Sequence, residues 1–215
     1  MSKIKKKEIF SILFVPIILL IIIWGVKIIE YLFGLSFANY GVFPQKISGL
    51  KGIFLSPFIH KDFKHIINNS YPLLILISIL FKFYKKIALQ LLIWLYLISG
   101  FWLWIIGRPA FHIGASGLVY ALAGFLFLSG LIRKNRSLSA ISLLVMFLYG
   151  SMIWGILPIE KTISWEGHLA GFLAGLLVAV FFKKEGPKRD KYEWELEEEK
   201  EKEESEQINY YLKNK

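Results

Sequence analysis

Cysteine is absent from the 215 residues, which removes disulfides, thiolate metal sites and a cysteine nucleophile together. Aspartate is almost absent. Asp62 and Asp190 are the whole supply, and neither stands inside an apolar run, so a pair of intramembrane aspartates is excluded as a catalytic device. The HExxH pattern of zinc peptidases does not occur. The four histidines, His60, His65, His112 and His168, lack the carboxylate or thiolate company of a metal site, so no metal and no cofactor is expected. What is abundant is hydrocarbon: hydrophobic residues make up 55% of the chain and the mean hydropathy is +0.53, the composition of a membrane protein. A net charge of +10 would suit nucleic acid. Lys and Arg sit in short clusters between apolar runs, however, so the lipid bilayer is the expected partner and nucleic acid is not.

Six apolar segments approach the roughly 20 residues that a spanning helix needs. They lie near 9–29, 65–81, 87–106, 116–132, 138–156 and 167–182. The first follows the basic SKIKKKE and leads into WGVKIIEYLFG without a small-x-small cleavage site, so it reads as a retained anchor. Basic clusters flank the segments: Lys3, Lys5, Lys6 and Lys7; Lys82, Lys85 and Lys86; Arg133, Lys134 and Arg136; Lys183, Lys184, Lys188, Arg189 and Lys191. Six crossings put all four clusters on one side, which the positive-inside rule makes cytoplasmic. The first outer loop, about residues 30–64, dissents with Lys46, Lys51, Lys61 and Lys64. The expected organisation is a basic cytoplasmic N-terminus over 1–8, a six-helix membrane domain over 9–183 and a charged cytoplasmic tail over 184–215. The tail's acidic block EWELEEEKEKEESE is expected to solubilise, either as a solvated helix or as disordered chain. YGVFP, SGLKG and SPF punctuate the long outer loop too often for one regular helix. No transit-peptide composition precedes the first span, which favours a bacterial plasma membrane.

Ionisable groups at a membrane edge are candidates for function, because burying them is costly without partners. His65 and Asn69 are four apart, on one helical face, and both can donate a hydrogen bond into a cavity; interhelical bonding is the plainer explanation for that pair alone. Gly167, Gly171 and Gly175 recur every four residues in the last span, with His168 at the head of the stripe. Gly117, Ala121 and Gly124 form a matching set in the fourth, with Ser116 at its head. Small faces let two helix backbones approach closely, and that approach would bring Ser116 and His168 together at one depth, with Tyr120 stacked under the imidazole. A neutral imidazole suits the task of activating a serine hydroxyl. The Ser116 amide at a helix start, with His65 and Asn69, could then stabilise an oxyanion. Glu166 stands two residues from His168, so it is expected to point elsewhere as a surface or capping group. Arg108 and His112 read as ordinary loop residues.

These residues resemble the rhomboid family of intramembrane serine proteases. The likeness rests on GASG at 114–117 with Tyr120, GHLAG at 167–171 and the HxxxN of His65 and Asn69, with His60 matching a further histidine that precedes that motif. It extends over about residues 10–182. It implies an all-α bundle of six transmembrane helices with a long first outer loop, Ser116 as nucleophile, His168 as general base, and His65 and Asn69, with Gly114 and Ala115, at the oxyanion site. It also implies single-span transmembrane protein substrates cut near the outer membrane face without metal or ATP, and a cap formed by the loop 157–166. The Trp-Arg pair common in the family's outer loop is missing here. A catalytically inactive relative that binds client transmembrane segments is the alternative, and a transporter would instead call for broken helices and a polar site at mid-membrane.

Overall fold

The computed structural model describes residues 3–133, 135–148, 154–160, 163–187 and 191–214. Eight α-helices are present among them: α1 (Lys3–Phe33), α2 (Lys51–Leu55), α3 (Phe63–Phe83), α4 (Ala88–Ile106), α5 (Ser116–Arg133), α6 (Arg136–Leu148), α7 (Trp165–Phe181) and α8 (Glu193–Lys213). Among the described residues there is no strand, only an isolated antiparallel bridge between Val42 and His112. The protein is an all-α membrane bundle.

Four helical stretches are long and apolar enough to cross a bilayer: Lys7–Phe33, Phe63–Phe83, Ala88–Ile106 and Ser116–Arg133. α7 has 17 residues, about 25 Å at the α-helical rise, the short end of what a bilayer accepts. The expected fifth span, 138–156, is described only in part: α6 ends at Leu148, residues 149–153 lie outside the described residues, and Trp154 and Gly155 are again helical. Lys134, Lys161, Thr162, Lys188, Arg189 and Asp190 also lie outside them.

The helices are ordered radially by burial. Every residue of α5 from Leu118 to Leu126 is buried, so α5 is the axis, while α1 turns Phe10, Phe14, Ile21 and Leu32 outward. The apolar face of α3 (Leu73, Leu76, Leu80) packs into the same core as Leu122 and Phe125 of α5. Without a hydrophobic drive between helices in lipid, close contact depends on small residues, and the α5/α7 seam shows this. A Cβ on Gly124 would stand 2.7 Å from the Phe172 carbonyl oxygen, one on Gly175 would stand 2.7 Å from the Phe125 nitrogen, and one on Gly171 would stand 2.9 Å from the Gly117 carbonyl carbon. Gly117 itself lies against the Gly167 carbonyl, whereas a Cβ on Gly167 would meet Ser164 and Leu103 of α4.

One residue departs from the sequence reading, while the first loop and the tail follow it. Arg133, counted above among surface cations, is buried: its guanidinium donates to the carbonyls of Phe182 (2.5 Å) and Lys183 (2.9 Å) and to Ser129 Oγ (3.0 Å). The first loop is a set of short turns, Ala38–Tyr40, Ile47–Gly49, α2 and Ser56–Phe58, tied to the chain before α5 through Val42 and His112 (2.8 and 2.9 Å). The acidic tail forms the solvated helix of the two alternatives, with no buried residue.

Candidate active site

The site lies where α3, α5 and α7 converge at one end of the bundle. α3 begins at an N-cap: Asp62 is extended and its carboxylate accepts from the His65 amide at 2.7 Å, a favourable cap that also holds the Asp62 carboxyl below its ordinary range. The cap sets the phase of α3, and with it the faces on which His65 and Asn69 stand. α5 begins at Ser116, two residues after Gly114, whose φ of +106° is a conformation only glycine adopts readily. A Cβ at Gly114 would stand 2.6 Å from His65 Cε1 and 2.8 Å from its Nε2, with Asn69 Nδ2 at 3.7 Å. The missing side chain leaves the space that these two residues face.

Across the glycine seam, Ser116 Oγ lies 2.8 Å from His168 Nε2. His168 Nδ1 is 2.9 Å from the Gly155 carbonyl oxygen. A carbonyl can only accept, so Nδ1 carries the ring proton and Nε2 is left as an acceptor for the serine hydroxyl. The Tyr120 ring lies parallel to the imidazole, with centroids 4.3 Å apart and planes inclined by 10°. His168 is thus held by a backbone carbonyl and a stacked ring, with a carbonyl in the place where a carboxylate orients the base in Ser-His-Asp enzymes.

A cavity of about 990 Å³ opens over these groups, lined by His65, Asn69, Ser116, Tyr120 and His168 together with the cations Lys61, Lys64 and Arg108. A space of that size accommodates an extended peptide segment. Among the described residues no group of three His, Cys, Asp or Glu could hold a metal ion.

Several residues differ from their sequence reading. Glu166 is 3% exposed, and its carboxylate sits 3.5 Å from the Arg108 guanidinium; it points away from His168, as expected, but into the protein. Arg108 also donates to the Ile163 carbonyl at 2.8 Å, so it pins the end of the loop that leads into α7. His112 is buried, with Nε2 donating to the Arg108 carbonyl (3.0 Å) and Nδ1 against Ser164 Oγ (2.6 Å); burial pushes its pKa down. Together they form a strut between the start of α5 and the start of α7. Gly114 and Ala115 do not offer amides to the cavity, because the Gly114 N–H donates to the Ser56 carbonyl (2.9 Å) and the Ala115 N–H points at His60 Nε2 (3.4 Å). The Gly155 carbonyl was invisible to sequence reasoning, since a backbone partner carries no side-chain signal.

The rhomboid domain model matches residues 48–185. Uncharacterized proteins of Mycobacterium tuberculosis and Mycobacterium bovis are each 33% identical to the chain over 170 residues, covering 74% of it and 70% of the relative. One of Mycobacterium leprae is 31% identical over 169 residues, covering 74% and 66%. The rhomboid domain match covers more than half of the chain, and the chain belongs to the rhomboid family of membrane proteins.

Proposed function

We propose that the protein is an intramembrane serine endopeptidase that cuts single-span transmembrane substrates near the outer membrane face. The observation that carries this reading is the 2.8 Å approach of Ser116 Oγ to the unprotonated Nε2 of His168, beside a cavity large enough for a peptide. Retention of both groups in bonding contact argues against an inactive client-binding relative.

In the proposed reaction His168 Nε2 takes the Ser116 proton as Oγ attacks the scissile carbonyl carbon. The oxyanion meets the Ser116 amide, which has no partner within its own helix, and the N–H donors of Asn69 and His65. Each such donor is worth about 3–4 kcal/mol in the transition state. Imidazolium then protonates the leaving amide nitrogen, and an ester to Ser116 remains. Water enters through the cavity, loses a proton to His168 and attacks the ester, releasing the new carboxyl terminus and restoring Ser116. Tyr120 keeps the ring in plane throughout. A substrate helix hides its carbonyls in i to i−4 bonds, so cleavage should favour Gly or Pro near the cut. By the positive-inside argument, both termini and the tail 184–215 face the cytoplasm, and the membrane domain over 9–183 sits in a bacterial plasma membrane.

The test is cleavage of a reconstituted single-span substrate by wild type, Ser116→Ala and His168→Ala. Activity in wild type alone supports the reading, and equal cleavage by all three rejects it. A scan of the substrate with Gly, Pro and Leu should favour the first two; indifference would refute the need for local unwinding.

A further inference from the structure

Behind Asn69 lies His60, 1% exposed and without a role in the reaction above. Its Nε2 is 3.0 Å from Asn69 Nδ2 and 3.4 Å from the backbone nitrogen of Ala115, the residue before Ser116. The amide of Ala115 can only donate, so Nε2 of His60 must be the acceptor and its ring proton sits on Nδ1. Nδ1 is buried and finds no partner of hydrogen-bond length, while the backbone of Phe58 favours a proton on this ring. The other tautomer would leave three donors facing one another, a worse arrangement than one unpaired N–H.

That settles which way the Asn69 amide faces. An acceptor at 3.0 Å demands the NH2 group, not the carbonyl, and the same nitrogen lies 3.7 Å from the open space above Gly114. One N–H of Asn69 is held by His60 and the second is free to serve the site. A flipped amide would aim its oxygen at an oxyanion. His60 is itself anchored: Lys27 of α1 donates from Nζ to the carbonyls of His60 (2.9 Å) and Lys61 (3.0 Å) and pairs with Glu30 (3.2 Å). The Lys27 and Glu30 side chains are 13% and 5% exposed, and Glu30 accepts from the Phe37 amide at 2.6 Å.

We propose that His60, its backbone clamped by Lys27 of α1, is a positioning residue that fixes the Asn69 amide with an N–H turned toward Ser116. This rests on the reading of Asn69 as an oxyanion donor. Burial, and after it the neighbouring His65, push the His60 pKa down to about 3, so the ring stays an acceptor across the working pH range.

The test uses the full chain in proteoliposomes with a single-span substrate. His60→Leu, which cannot accept, should lower kcat by about 10–100-fold, a fraction of or equal to the loss of an oxyanion donor, with KM unchanged. His60→Gln, whose carbonyl can occupy the place of Nε2, should recover most of that loss. In an Asn69→Ala background, His60→Leu should have no further effect on kcat. An equal fall in both backgrounds, or no rescue by Gln, would overturn the proposal. Should His60→Leu fail to fold, Lys27→Met replaces it, with a smaller fall in kcat that also vanishes in Asn69→Ala; an additive fall contradicts the inference. Ser116→Ala run in parallel separates the two levels: cleavage that persists there defeats the protease reading itself, whereas Ser116-dependent cleavage unaffected by His60→Leu defeats only this inference.

Discussion

The two ends of α5 both bury polar chemistry and use it in opposite ways. At the far end, Ser129, Tyr84 and Arg133 form a closed cluster: Tyr84 meets Ser129 at 2.6 Å, and Arg133 caps the carbonyls at the end of α7. Every strong donor there has an acceptor, and the cluster ties α5 to the C-terminal end of α7. At the near end, Ser116 and His168 are bonded to each other, but His65 Nε2 and Asn69 Nδ2 face the space over Gly114 beside a cavity. Between the ends runs the glycine seam. Saturated polar groups lock α5 to α7 at the far end, while at the near end groups contributed by α3 face open space, where the proposed substrate would complete their bonds.

The contrast breaks most sharply with Ser116→Ala. Cleavage should fall by about 10⁴-fold or more while the melting temperature in detergent stays at or above that of wild type; a parallel loss of stability would mean that the near end is also an anchor. Gly171→Val attacks the seam that joins the ends. Its side chain meets the Gly117 backbone, so activity and folded yield should fall together, by about 1–3 kcal/mol or more of stability, read by thermal unfolding and cleavage in one preparation. Arg133→Met tests the far end. It removes the guanidinium's hydrogen bonds to the Phe182 and Lys183 carbonyls, of which Phe182 keeps the Glu185 amide at 3.0 Å, a loss of about 1.5–3 kcal/mol for a bond to a charged group, so the melting temperature should drop while cleavage per folded molecule is retained. Tyr120→Phe keeps the stacked ring and should keep kcat, whereas Tyr120→Ala should lower it by about tenfold; equal rates would deny the ring any positioning role.

The smallest effect is on pH. His60 is pushed from its ordinary 6.5 down to about 3, and burial lowers His112 in the same direction. Both are neutral when folded, so as pH falls below 6.5 the unfolded chain binds protons that the folded one refuses. Stability should be full above that value and decline between 6.5 and about 3, seen as a falling melting temperature. A melting temperature that rises on acidification would contradict these assignments.

The placement of Ser116 against His168 was legible because it depends on a pattern within two helices, small residues every four positions with one polar group at each head. Four of the expected spans, and the shorter α7, were legible for the same reason, as local hydropathy. Less visible was everything that the loops assemble. Glu166 was read by helical phase as pointing away from His168, and it does, yet phase could not show that Arg108 waits there, 58 positions earlier in the chain. His112 acquires its partners only because Val42 fixes the loop before α5. Arg133 was read as one more cation beside a bilayer, and only the C-terminal end of α7, folded back onto α5, makes it an internal cap. The Gly155 carbonyl has no side chain to announce it.

The central claim is that one imidazole, oriented by a carbonyl and a ring, activates Ser116. The most direct measurement is the rate of labelling by a fluorophosphonate probe, with the modified residue mapped by mass spectrometry, in wild type and in folded His168→Ala. A single adduct on Ser116 that forms in wild type and is lost in His168→Ala is the predicted result. An adduct on another residue, or labelling of Ser116 at an undiminished rate without His168, would contradict it.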